Sequence, residues 1–160
     1  MNAETCTDVV RREVFSTGVY YFDSNGHYHR ADGPAIERTN GVREWWYHDK
    51  RHRVDGPAVE GPDKTHRISE WWLNGVRHRD GGPAVEWIYG RMDWYQHGKL
   101  HREDGPAIIY RNGIRDWYQN DQLHRLDGPA VEYPDGRKEW WIEGEEFTQF
   151  EWWLIANQRK

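Results

Sequence analysis

Most of what announces catalysis, oxidative secretion or a membrane is missing from this chain. One cysteine, Cys6, in 160 residues excludes an internal disulfide framework and fits a reducing compartment. Serine occurs only at Ser16, Ser24 and Ser69, and none sits in the strand-turn-helix setting that exposes a nucleophile. No glycine-rich loop suits a phosphate. No apolar run approaches the ~20 residues that span a bilayer, and the N-terminus carries no signal-peptide pattern. These absences lead us to expect a cytoplasmic, non-enzymatic protein with no membrane partner and no cofactor. Hydrophobic residues reach only 36% and mean hydropathy is −1.11, too low for a thick aliphatic core. Aromatics at 15%, including 11 tryptophans, must do that work instead. The net charge of −5 argues against nucleic acid as the main partner. Charges alternate in sign along the chain, which suits solvated strand faces.

What is present is a repeated phrase, His-Arg-x-Asp-Gly-Pro-Ala. It runs from His29 to Ala35, His52 to Ala58, His101 to Ala107 and His124 to Ala130, with a variant from His78 to Ala84. Pro34, Pro57, Pro83, Pro106 and Pro129 mark periods of 23, 26, 23 and 23 residues. A fixed period of this length is the signature of a stacked repeat. After each Pro-Ala come an aliphatic residue, a Gly-containing turn, an acid and two aromatics. The pairs are Trp45-Trp46, Trp71-Trp72, Trp94-Tyr95, Trp117-Tyr118 and Trp140-Trp141. A second turn, at Asp49-Lys50, Asn74-Gly75, His97-Gly98 or Asn120-Asp121, leads to the next His-Arg. Two short β-prone runs separated by turn residues form a hairpin. Adjacent aromatics on a strand point to opposite faces, so one hairpin buries only one of them and stacking buries both.

The expected fold is therefore all-β: an elongated single sheet of stacked β-hairpin repeats with a short C-terminal capping helix. Residues 1–16 form a tail or cap, with a cap strand or short helix at Val9–Phe15. Residues 17–144 form the array, beginning with a degenerate unit at Gly18–Phe22. Residues 145–160 form the capping helix, because Phe147, Phe150 and Leu154 fall at helical spacing and Glu145-Glu146 suit a helix start. Its apolar stripe is expected to cover the last hairpin. The segment Gly61–Arg67 carries three extra residues, since Pro57 to Trp71 spans 14 positions against 11 elsewhere. Such an insertion is either a tolerated loop or part of a binding edge.

The five repeated histidines invite a metal, but equivalent positions of stacked two-strand units lie roughly 10 Å apart. Zinc ligands must lie within about 3–4 Å of one another, so no metal site is expected from that ladder. Each imidazole is expected to bond within its own unit, as in a His52–Asp55 pair. The phrase aspartate is expected to bond nearby amides, and its glycine to supply an unusual backbone angle. An active site normally breaks symmetry, whereas these carboxylates and histidines recur by period, so no catalytic residue is assigned. The invariant first tryptophans are assigned to internal packing. The second row, Trp46, Trp72, Tyr95, Tyr118 and Trp141, is assigned to a partner together with His66 and Arg67 in the insertion. Tyrosine and tryptophan are common interface anchors. Removing Tyr95 and Tyr118 is expected to abolish partner capture with little change in thermal unfolding.

Trp71, Gly75, His78 and the downstream Gly82 follow the spacing Trp-x-x-x-Gly-x-x-His, and at this period residues 18–144 resemble MORN repeats. The His-Arg-x-Asp-Gly-Pro-Ala version is similar to MORN-like repeats of bacteriophages, giant viruses and bacteria. Arg follows His where the usual pattern has Gly, and Pro-Ala is added. The resemblance implies a sheet of successive hairpins that binds another protein, either as a phage-type inhibitor of a host defence protein or as an antitoxin-like neutraliser. Two alternatives stay open: a module sequestering a nucleotide or carbohydrate on its aromatics, and a homo-oligomeric scaffold self-associating through an uncovered N-terminal edge.

Overall fold

The computed structural model describes residues 11–61 and 68–158. The chain divides into two compact units, Met1–Arg77 and His78–Lys160. The first holds β1 (Arg11–Phe15), β2 (Gly18–Phe22), β3 (Ile36–Arg38), β4 (Arg43–Glu44), β5 (Trp46–Tyr47), β6 (Lys50–Arg51), β7 (Val59–Glu60), β8 (Ile68–Glu70), β9 (Trp72–Leu73) and β10 (Val76–Arg77). The second holds β11 (Val85–Trp87), β12 (Met92–Asp93), β13 (Tyr95–Gln96), β14 (Lys99–Leu100), β15 (Ile108–Ile109), β16 (Arg115–Asp116), β17 (Tyr118–Gln119), β18 (Gln122–Leu123), β19 (Val131–Glu132), β20 (Lys138–Ile142), β21 (Glu145–Phe147) and α1 (Gln149–Gln158). Among the described residues, six strands of the first unit form a main antiparallel sheet in the order β1-β2-β3-β4-β7-β8, and seven of the second form one in the order β11-β12-β15-β16-β19-β20-β21. The chain is thus all-β with stacked hairpins and one C-terminal helix, as its period requires.

Each period contains two hairpins, not one. In the main sheet β3 pairs with β4, Ile36 opposite Glu44. The chain then leaves that sheet at Trp45, whose N–H donates to the Ala58 carbonyl at 2.8 Å while its carbonyl accepts from His52 N–H at 3.1 Å. The next residues form a side hairpin, β5 with β6, Trp46 opposite Arg51. The same split recurs at Trp94 and Trp117. One short aromatic run therefore serves two sheets, which is why alternation alone shows a single strand. Main-sheet turns close through a left-handed glycine such as Gly90, φ 84°, whose N–H reaches the Trp87 carbonyl at 2.9 Å. Side-hairpin turns have two consecutive positive-φ residues, as at His48-Asp49 and Asn120-Asp121, the type I′ geometry that matches strand twist. The turn in the second unit is therefore one residue earlier than Asp49-Lys50.

Register decides the faces. Ile36, Glu44 and Val59 align across the first unit's sheet. Val85, Asp93, Ile108, Asp116, Val131 and Glu139 align across the second's. One face thus alternates buried aliphatics with acids. The other carries the first aromatics and the phrase alanines, and all five alanines are fully buried.

The N-terminal segment joins the sheet as β1, paired with β2 from Arg11 opposite Phe22 to Phe15 opposite Gly18. At the other end Phe147 lies in β21, and the helix starts later than expected. Thr148 caps it: its hydroxyl accepts from Glu151 N–H at 3.3 Å while Glu151 Oε2 accepts from Thr148 N–H at 2.9 Å, a capping box. That start sets the phase of α1. Trp152 and Ala156 turn inward onto Ile142, with Leu126, Trp140, Phe147 and Ile155 around them. Phe150 and Leu154, expected to face the last hairpin, point outward instead.

Candidate functional site

The phrase arginine is the centre of each repeat. Arg53 stacks on Trp45 at 3.9 Å, its Nε donates to Asp55 at 2.9 Å, and its Nη1 donates to the Pro57 carbonyl at 3.1 Å and to Glu60 at 2.7 Å. Arg125 repeats this with Trp117, Asp127, Pro129 and Glu132. Arg102 repeats it with Trp94, Asp104 and Pro106, and Ile109 stands where the others have glutamate. Arg30 uses Tyr21 as its ring at 4.2 Å. The phrase aspartate serves the guanidinium first, and Asp32, Asp55 and Asp104 also accept from their own backbone N–H, in keeping with the expected amide contact. The phrase glycine is needed for space: a Cβ on Gly56 would lie 2.9 Å from the Arg53 guanidinium carbon, and one on Gly128 would lie 2.8 Å from that of Arg125. None of these phrase glycines has positive φ. Where Gly81 replaces the aspartate, Arg79 still donates to the Pro83 carbonyl at 3.0 Å and to Glu86 at 2.7 Å, and Asp80 lies 3.4 Å from His78 Nε2.

The histidine ladder does a different task from the expected local pairing. Each Nδ1 accepts a backbone N–H from the turn of the following side hairpin: His29 from His48, His52 from Asn74, His78 from His97, His101 from Asn120 and His124 from Glu143, at 3.1–3.3 Å. These left-handed turn residues present amides that the side hairpin leaves open, and each such bond holds a side hairpin to the phrase histidine that precedes it.

The opposite face carries the acid row, and four of its members are bonded by the side chain six residues before them. Arg38 donates to Glu44 at 2.9 Å, the Trp87 indole to Asp93 at 3.0 Å and the Tyr133 hydroxyl to Glu139 at 2.7 Å; Tyr110 bonds Asp116. The second aromatics close over them. Trp46, Trp72 and Trp141 donate their indole N–H to Glu44, Glu70 and Glu139 at 3.2, 2.8 and 3.2 Å. Burial opposes ionisation of Glu44, but Arg38 and Arg51 outweigh it and hold the carboxyl below its usual range. Asp116 has a tyrosine in that position; burial pushes its carboxyl up, and the nearby Glu139 adds to the effect.

The residues assigned to a partner fall in two places. Trp46, Trp72, Tyr95, Tyr118 and Trp141 are all half-buried, as are Trp45, Trp94 and Trp117 of the first row. His66 and Arg67 lie outside the described residues. First-row rings floor open grooves between successive phrases: one of about 630 Å³ has Arg30, Asp32, Trp45, Arg53 and Asp55 in its lining. Another of about 580 Å³ repeats the arrangement around Trp117. Repetition could have suggested these grooves; it could not show which indole lies under the arginine.

Two features escape the period altogether. The outward face of α1 carries Phe150, Trp153 and Leu154, which are 68%, 54% and 42% exposed. At the first, irregular turn, Asp23, His27 and His48 bring three ligand-type atoms within 4.8 Å of one another, the one such group among the described residues. Neither could be found by following the repeat. Comparison of the chain with family models, with curated proteins and with solved structures finds no match.

Proposed function

We propose that this chain is a non-catalytic, protein-binding repeat module of MORN-like type that acts by covering its partner's surface. The observation that carries the reading is the outward face of α1. Phe150, Trp153 and Leu154 stand at i, i+3 and i+4 and so share one side of the helix, and each is at least 42% exposed in a chain whose mean hydropathy is −1.11. Contiguous exposed aromatics on so polar a chain mark an interaction surface. Glu143, Glu145, Glu146 and Glu151 are exposed close by in sequence, so the partner of best fit offers an apolar groove with a basic rim. A helix laid into such a groove is a recurrent mode of recognition. Neutralisation of a toxin or a host defence protein by occlusion is the form of this activity that the MORN-like resemblance supports.

Affinity capture from a bacterial lysate, followed by titration of the recovered protein, tests the reading. Trp153→Ser with Leu154→Ser is expected to abolish capture while the melting curve stays that of the wild type. Equal capture by wild type and variant sinks it. The Trp-floored grooves favour a second reading, sequestration of a nucleotide or carbohydrate. That reading requires a ligand-dependent rise in melting temperature that the helix substitutions leave intact.

A further inference from the structure

We propose that the first turn of the array is a binding site for a divalent transition-metal ion, zinc being the best fit, held by Asp23, His27 and His48. None of the three belongs to the repeated phrase. In the later side hairpins the place of His48 is taken by Asn74, His97, Asn120 and Glu143, and among the described residues no second group of this kind forms around them. The cluster is where the chain departs from its own symmetry.

The donor set is built around one buried carboxylate. Asp23 is 4% exposed, and its Oδ1 accepts backbone N–H groups from Asn25 and His27, both at 2.9 Å. That fixes the side chain and aims Oδ2 at two imidazoles: His48 Nδ1 at 2.6 Å and His27 Nδ1 at 3.1 Å. One ring suffices to satisfy that oxygen; two converge on it. Their ligand atoms and Oδ2 lie within 4.8 Å of one another. Tetrahedral zinc with N and O ligands at about 2.0–2.2 Å needs spacings of roughly 3.3–3.5 Å. The shift is about an ångström, within reach of side chains that are 46% and 43% exposed. The same openness gives the ion an entry path and leaves a fourth position for water.

Without an ion each Nδ1 gives its proton to Asp23 Oδ2, so an ion bound here displaces those protons, as ligation by imidazole does. An imidazole ligating through Nδ1 carries its proton on Nε2 and usually gives it to a carboxylate. His27 Nε2 lies 4.0 Å from Asp49 Oδ2, and Asp49 is itself fixed, its Oδ1 accepting from Tyr28 N–H at 2.7 Å. The backbone N–H of His48 donates to His29 Nδ1, so the ladder anchors the backbone that presents the ring. Two nitrogens and one carboxylate suit zinc and its late first-row neighbours better than calcium or magnesium, which prefer oxygen.

The test is a calorimetric titration of the full chain, stripped with a chelator, with Zn²⁺ alone. One ion per chain is expected, with a melting temperature that rises with zinc concentration. His48→Asn places at this left-handed turn the residue that Asn74 and Asn120 supply elsewhere, so the fold is preserved. His48→Asn and His27→Gln are each expected to weaken binding by at least about tenfold, and the zinc-free His48→Asn chain, though it loses the bond to Asp23, is expected to melt in one cooperative transition. His97→Asn, at an equivalent turn without the carboxylate, is expected to titrate as the wild type. The proposal is overturned if the wild type binds no zinc, or if His48→Asn binds it with the stoichiometry and affinity of the wild type.

Discussion

Trp152 packs on Trp140 with ring centroids 4.5 Å apart, and its indole N–H donates to the Arg125 carbonyl at 2.8 Å. This contact does for the last first-row tryptophan what Arg125 does for Trp117 at 4.0 Å. No phrase follows Trp140, so no guanidinium arrives to cover it, and the helix supplies an indole instead. The cap is thus built on the same aromatic surface that the repeats use to hold one another.

Trp152→Ala is expected to cost about 3–5 kcal/mol, the range for removing a buried large aromatic, and to release α1 as it does so. Trp152→Phe retains the ring contact and loses the hydrogen bond, so its cost is about 1 kcal/mol. Chemical denaturation followed by far-UV circular dichroism measures both. Equal stability of Trp152→Ala and wild type contradicts the capping role.

Gly56→Ala places a methyl group against the Arg53 guanidinium, at 2.9 Å before relaxation. A cost of about 1–3 kcal/mol is expected from overpacking. The backbone there tolerates alanine, so in an Arg53→Ala background the same change becomes neutral or stabilises by up to about 1 kcal/mol through the unfolded chain. A double-mutant cycle reads the difference. Additive costs mean that Gly56 is needed for some other reason.

The acid row carries pH dependences of opposite sign. The Glu44 carboxyl is depressed by Arg38 and Arg51 against the effect of burial, so it contributes stability that is present above the unfolded value and is lost as pH falls toward the folded one. The Asp116 carboxyl is raised by burial, so its charge lowers stability at neutral pH and the loss is relieved as pH falls toward the unfolded value. Glu44→Gln should destabilise by about 1.5–3 kcal/mol at pH 7. Asp116→Asn should raise the melting temperature at pH 7, and that gain should shrink through the acid range. Melting curves from pH 3 to pH 8 compare them, and parallel profiles for the two variants refute the assignment.

Tyr118 is half-buried, and burial first, then the Asp116 carboxylate, raises the pKa of its hydroxyl. A ring in that position covers the acid face whatever else it touches. Tyr118→Ala is therefore expected to lower stability by about 1–3 kcal/mol, in place of the nearly unchanged unfolding that a contact-only role implies. Trp153→Ser should move stability by no more than about 0.5 kcal/mol. Thermal denaturation of the two variants, compared with any loss of partner binding, separates packing residues from docking residues.

The spacing of Pro34, Pro57, Pro83, Pro106 and Pro129 determined by itself that the chain is a stack of like units, because a segment of 23 residues is too short to bury its own indoles. It also determined that the units are β-hairpins, since turn residues and paired aromatics recur within each one. Tertiary structure alone decided that Trp45 ends one strand and Trp46 begins another, because alternation along a chain does not say which sheet a residue joins. It decided that Gly56 makes room for Arg53, a contact through space that leaves no trace in backbone preference. It decided the phase of α1, which follows from Thr148 acting as the cap and Trp152 finding Trp140. The meeting of Asp23, His27 and His48 belongs to tertiary structure for the same reason: periodicity reports what the units share, and a site made from their differences takes shape only when two unlike turns are folded side by side.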